Sequence, residues 1–164
     1  MVPPPTPSFL LKLAVVLSVS AAALAASTGA ATPAEARYVA AVKRDYLPLR
    51  SVYATAQATC TITQNDARCQ TQIVKALAAT KRLDGTLART APPARLGAAH
   101  RSLRSALGQL VTGFNRVTRA LHSGAYSPFN FIDFAEPAAK SVDGAVASLN
   151  KIAGAKLPRF TPRK

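Results

Sequence analysis

Residues 93–122, PARLGAAHRSLRSALGQLVTGFNRVTRALH, carry the plainest structural signal in the chain. Leu96, His100, Leu103, Leu107, Leu110, Phe114, Val117 and Leu121 recur at steps of three and four. That spacing holds them on one narrow stripe of an α-helix, the kind of seam along which helices of a bundle pack. Ser123-Gly124 ends the run, as glycine does just past a helix.

The same periodicity appears three more times. Val39, Val42, Tyr46, Leu49, Tyr53, Ala56 and Cys60 line a helix over about 34 to 60. Pro48 inside it removes the hydrogen bond to the Arg44 carbonyl, so a kink or break is expected near residues 44–48. Cys69, Ile73, Ala76, Thr80, Leu83 and Leu87 line a second helix, about 66 to 89, which Ala91-Pro92-Pro93 closes. Ser127-Pro128 is a cap followed by a first-turn proline. It opens a fourth helix to about residue 153, with the stripe Ile132, Ala135, Ala139, Val142, Val146 and Leu149, and Pro137 as a point of division. The aliphatic bias fits this reading: apolar residues make up 49% of the 164, aromatics 6%, and Trp is absent.

The expected fold is therefore all-α, an antiparallel up-down-up-down four-helix bundle over 34–154. Ahead of it, residues 1–26 read as a signal peptide and 27–33 as a linker; residues 155–164 read as a basic, flexible tail. The apolar heart of the leading segment, Leu13 to Leu24, suits an export signal better than a membrane span of about 20 residues. Small-x-small cleavage patterns follow at Ala23-Leu24-Ala25 and at Ala34-Glu35-Ala36, the first preferred because the second would trim the first helix. The expected location is the cell envelope or beyond it. The alternative is an uncleaved N-terminal anchor.

Cys60 and Cys69 are the only cysteines. One falls at the end of the first stripe and the other at the start of the second, so an antiparallel hairpin brings them face to face. A disulfide there closes a short loop, stabilises by about 2 to 3 kcal/mol and suits an oxidising destination. A redox pair normally has two residues between its cysteines at a helix N-terminus, which these do not.

Net charge is +14, and Lys12 is the only charged side chain before residue 27. No acid lies between Asp84 and Asp133, while arginines accumulate. Arg95, Arg101, Arg116 and Arg119 fall outside the apolar stripe of the third helix and Arg104 on its flank. Guanidinium groups so placed suit phosphate or carboxylate partners. Aromatics do not interleave with them, so nucleic acid is not the expected partner. Tyr126, Phe129, Phe131 and Phe134 cluster at the turn before the fourth helix. They form either a plug for the bundle end or an apolar patch for a ligand, partner or membrane.

His100 reads as a hydrogen-bonded residue of the seam and His122 as a helix-end cation; about 33 Å of helix would separate them. The mature chain has no Met and no Cys-x-x-Cys-His, and no paired carboxylates or nucleophile triad stand out. Neither catalysis, a metal site nor a cofactor is expected. The first functional reading is an exported, non-enzymatic protein that binds an anionic envelope polymer, a lipid surface or an acidic protein through the five arginines. The second is a carrier holding a small apolar ligand between helices near the aromatic turn. The third is a structural or accessory subunit of an envelope complex.

Overall fold

A computed structural model describes residues 31–62 and 66–162. The expected signal peptide and most of the linker lie outside the described residues. Among those described, all regular structure is helical: α1 Pro33–Ile62, α2 Asp66–Arg89, a 3-10 turn Ala94–Leu96, α3 Gly97–His122, α4 Pro128–Phe134 and α5 Glu136–Ala153.

Local chemistry sets the helix ends. Thr32 and Glu35 start α1 with a reciprocal box: the Glu35 carboxylate accepts from the Thr32 N–H at 2.8 Å, and the Glu35 N–H donates to the Thr32 hydroxyl at 3.2 Å. Two of the amides a helix start leaves orphaned are thereby satisfied. Pro33 occupies the next position, where its missing N–H costs nothing. At α4 the Asn130 side chain reaches back to the Ser127 N–H at 2.6 Å. Gly124 closes α3 with φ +68°, its N–H on the Leu121 carbonyl and the Ala125 N–H on the Ala120 carbonyl. This is the Schellman arrangement, for which glycine carries no Cβ penalty.

α1 continues through Pro48 without a break, so of the two outcomes the proline allowed, an interruption of the helix did not occur. The fourth helical stretch divides at Ala135, just before Pro137, into α4 and α5. That division resets the phase of the apolar face. Ile132, expected on the seam, is exposed, while its neighbour Phe131 is fully buried. A smaller shift affects the start of α1, where Tyr38 is buried and Val39 only partly so. The stripes of α2 and α3 are buried at every expected position.

α1 packs on α2, α2 on α3, and α3 on α5, with α4 wedged against both α3 and α1. Cys60 and Cys69 form the expected disulfide, Cα atoms 4.9 Å apart, clipping the end of α1 to the start of α2. The Tyr126 hydroxyl donates to the Cys60 carbonyl at 2.6 Å and ties the aromatic turn to that clip.

Tyr53 of α1 lies at the centre of the core, its ring 4.6 Å from Phe160, 5.8 Å from Phe131 and 6.4 Å from Phe114. Full burial of each ring contributes on the order of 2 kcal/mol or more. Phe160 belongs to the segment expected to be a loose tail. Instead residues 157–161 lie against α1 and α5, with Leu157 and Phe160 buried and the backbone held by side chains of both helices. An apolar residue every third position in a basic, proline-bearing stretch reads as loose only while its distant partners are unseen.

The α4–α5 joint comes very close to α3. A Cβ added to Gly113 would sit 2.2 Å from the Phe134 carbonyl oxygen, whereas one on Gly108 of the same helix would meet nothing within 4 Å. Gly113→Ala is expected to lower stability by about 2 to 3 kcal/mol or more. Gly108→Ala, on the exposed face, should raise it by about 0.5 to 1 kcal/mol. Denaturant unfolding of both variants checks the pair, and equal effects would contradict the close crossing.

Candidate functional site

Of the five arginines singled out, Arg101, Arg104, Arg116 and Arg119 lie on α3 and Arg95 in the 3-10 turn before it; all are exposed, but they do not share one set of partners. Arg95 pairs with Glu35 at 3.4 Å and reaches the Ile152 carbonyl, which turns it toward α1 and α5. Arg104 donates to Asp84 of α2 at 2.9 Å on the other flank. The Arg116 guanidinium lies 5.9 Å from the Phe134 ring centroid, a cation–π contact. Arg101 and Arg119, which have no ion-pair partner among the described residues, point outward about 27 Å apart along the helix. The arrangement is a spread of positive charge along the outer face of α3 and both its flanks.

The aromatic turn divides between the two roles weighed for it. Phe131 plugs the core, and Phe134 is half-buried beneath Arg116. Tyr126 is half-buried, and desolvation, with Asp66 adding to it, pushes its hydroxyl up to about 12. Phe129 stands out with 69% of its surface exposed. Beside Ile132 a groove of about 610 Å³ opens between α1, α5 and the C-terminal segment. Ala54, Ala58, Ile132 and Pro162 form its apolar walls, and Glu136, which accepts from Gln57 at 2.8 Å, lies among them with Lys140.

Two polar sites lie in the core, and at the first His100 is hydrogen-bonded on the seam as expected, to a partner the sequence did not indicate. The Tyr38 hydroxyl and His100 Nδ1 lie 3.0 Å apart across α1 and α3. Burial lowers the His100 pKa below its usual 6.5, with help from Arg104 and Arg101 and slight opposition from Asp84. Burial also pushes the Tyr38 hydroxyl up to about 12. Tyr53 is the second site: its hydroxyl is buried with no hydrogen-bond partner among the described residues, and burial together with Glu136 and Asp143 raises its pKa. Tyr46, on the same stripe, does find an acceptor, the Pro158 carbonyl at 2.6 Å.

Among the described residues no group of three His, Cys, Asp or Glu is placed to hold a metal, and no helix is long and apolar enough to cross a membrane. His122 is exposed at the end of α3 and 2.8 Å from Gln70. Comparison with protein-family models, curated proteins and solved structures finds no match.

Of the polar contacts that position these residues, one had a local signature. Thr32-x-x-Glu35 ahead of an apolar run is a capping-box pattern, and it places the Glu35 carboxylate where Arg95 meets it. The Tyr38–His100 contact spans 62 residues and left no such trace.

Removing the Tyr53 hydroxyl abolishes a buried, unpaired polar group, so Tyr53→Phe should raise stability by about 1 kcal/mol. Tyr46→Phe strands the Pro158 carbonyl and should cost about 1 kcal/mol; urea unfolding of the two variants side by side distinguishes them. His100 supplies a pH test. Its folded pKa lies below its unfolded value, so its contribution is fully present above pH 6.5 and is lost as pH falls through the folded pKa. The melting temperature should fall between pH 7 and pH 5 more steeply in the unaltered protein than in His100→Gln.

Proposed function

We propose that this protein is an exported, non-enzymatic helical bundle that binds an extended anionic partner of the cell envelope, a polymer or a lipid surface, through its basic exterior. In this reading α1, α2, α3 and α5 run up-down-up-down, the 1–26 segment directs export, and the disulfide is an adaptation to an oxidising compartment. The ladder of contacts agrees with that topology. Cys60–Cys69 and Asp45–Thr86 run in opposite order along α1 and α2, as do Gln70–His122 and Asp84–Arg104 along α2 and α3.

The observation that carries the reading is where the acids go. Glu35 caps α1 and is buried; Asp45 takes the Thr86 hydroxyl at 2.7 Å; Asp84 holds Arg104; Glu136 holds Gln57; Asp143 holds the C-terminal segment. Five of the chain's seven carboxylates are thus engaged in contacts within the fold. Ion pairs among the described residues include those of Arg44, Arg95, Arg104 and Arg159. Seven acids cannot match twenty-one Lys and Arg, so a net +14 remains without an acidic counterpart in the chain. A field spread in this way along α3 suits many weak contacts to a repeating anion, in which the release of counterions supplies much of the affinity.

A second reading rests on the groove beside Ile132, whose volume and apolar walls are adequate for a small apolar ligand. Native mass spectrometry of the secreted protein separates the readings, since a carrier would leave with a bound molecule.

Binding to vesicles rich in anionic lipid, or to an acidic polymer, should weaken steeply as salt is raised. Arg101, Arg116 and Arg119→Ala together should weaken it further and flatten the salt dependence. Retention indifferent to salt, or unchanged in the triple variant, would refute the proposal.

A further inference from the structure

The C-terminal segment is bound the way a peptide is bound. Asn150 clasps Leu157 with both ends of its amide, accepting from the N–H and donating to the carbonyl, each at 2.8 Å. Tyr46 donates to the Pro158 carbonyl at 2.6 Å and Arg50 Nε to the Arg159 carbonyl at 2.5 Å. Asp143 accepts from the Phe160 N–H at 2.5 Å and from the Thr161 N–H at 3.3 Å, and also takes the Thr161 hydroxyl. Four side chains on two helices thus read consecutive backbone groups, while the Phe160 ring fills an anchor pocket between Tyr46 and Tyr53.

The geometry is that of an extended strand lying along a helix. Leu157 sits at Asn150 and Phe160 at Asp143, so three residues of segment span seven of α5 in the reverse direction. Three extended residues reach about 10 Å and seven helical residues rise about 10.5 Å. α1 and α5 make few direct contacts with each other, and the segment fills the channel that lies between them.

None of these contacts depends on the covalent link back to α5. That link is a tight reversal, with Gly154 at φ +60° and Lys156 at φ +49°. Lys156 is the only non-glycine among the described residues in the left-handed region, where a Cβ crowds the following carbonyl. A short hinge under strain favours exchange of the segment beyond it, because an extended hinge relieves the strain while the exchanged segment keeps every contact.

We propose that the channel between α1 and α5 is a peptide-reading groove, filled in cis by residues 157–161, and that the same segment of a second copy fills it in trans to give a tail-exchanged dimer. The occupant is a second copy because the Leu-Pro-Arg-Phe-Thr backbone and its Phe160 anchor are the ligand the groove fits. Two chains of +14 repel each other, so exchange is favoured where charge is screened. Salt should therefore raise the dimer fraction, opposite to its effect on binding an anionic partner, and the inference stands apart from that reading.

The test shortens the hinge in the full chain by deleting Ala155 and Lys156, which leaves one residue to make the reversal. In high salt this variant should be dimeric by light scattering, with its disulfide formed and its helix content kept. Adding Phe160→Ala should weaken the dimer by at least tenfold. A monomer that melts like the unaltered chain, or a dimer indifferent to Phe160→Ala, overturns the proposal.

Should the shortened chain fail to fold, the unaltered chain gives the answer with a labelled peptide of residues 155–162. The peptide must compete with a tethered segment whose effective concentration is in the millimolar range. Binding in that range, at least tenfold weaker for the Phe160→Ala peptide, supports the groove. Binding that is absent there, or equal for the two peptides, overturns it.

Discussion

The arrangement of the molecule depends on one ring. Tyr53 of α1 is packed at once by Phe114 of α3, Phe131 of α4 and Phe160 of the C-terminal segment. Most of the remaining seam positions are Leu, Val, Ile and Ala, aliphatic side chains that permit many sliding registers of one helix past another. A cluster of large, flat rings does not slide freely, because tilted ring pairs have a narrow range of good geometries. Phe131 carries α4 into the core, and the Gly113 crossing lets the α4–α5 joint approach α3 closely enough for it to arrive. The stranded Tyr53 hydroxyl is the penalty of placing that ring so deep.

Legibility in the sequence followed the range of the interaction. The α2 and α3 stripes and the disulfide could be read because their signals are local: a 3.6-residue period, and two cysteines at adjoining helix ends. The seam of α1 slipped by one residue at its start, where Tyr38 replaces Val39, because a helix drifts against a strict heptad by about 20° per repeat. The exposure of Ile132 was misread because the break at Ala135 made two phases of what looked like one. The C-terminal segment was misread for the opposite reason. Its composition is that of a loose tail, and its partners Tyr46 and Arg50 lie more than 100 residues upstream. Periodicity set Arg95, Arg101, Arg116 and Arg119 outside the apolar stripe and Arg104 on its flank, yet it could not reveal that Arg95, in the turn before α3, and Arg104 are drawn to opposite flanks by Glu35 and Asp84.

Charge and architecture are coupled through the scarcity of acid. With seven carboxylates in the chain, caps, ion pairs and the clasp on Phe160 use most of them. The surface is basic partly because the interior contacts come first. A substitution that frees one of these carboxylates would therefore change two properties together, loosening an element and placing a negative charge in a field otherwise of one sign.

The Thr32–Glu35 box at the head of α1 has a consequence for when the chain can be processed. A protease that cuts after a small-x-small pattern needs its substrate extended. The pattern Ala34-Glu35-Ala36 lies inside the first helical turn, where Glu35 is buried, accepts from Thr32 and pairs with Arg95. Cleavage there and a closed first turn exclude each other. Folding thus acts as a clock on that site: it is open to a peptidase only until α1 winds and α3 arrives.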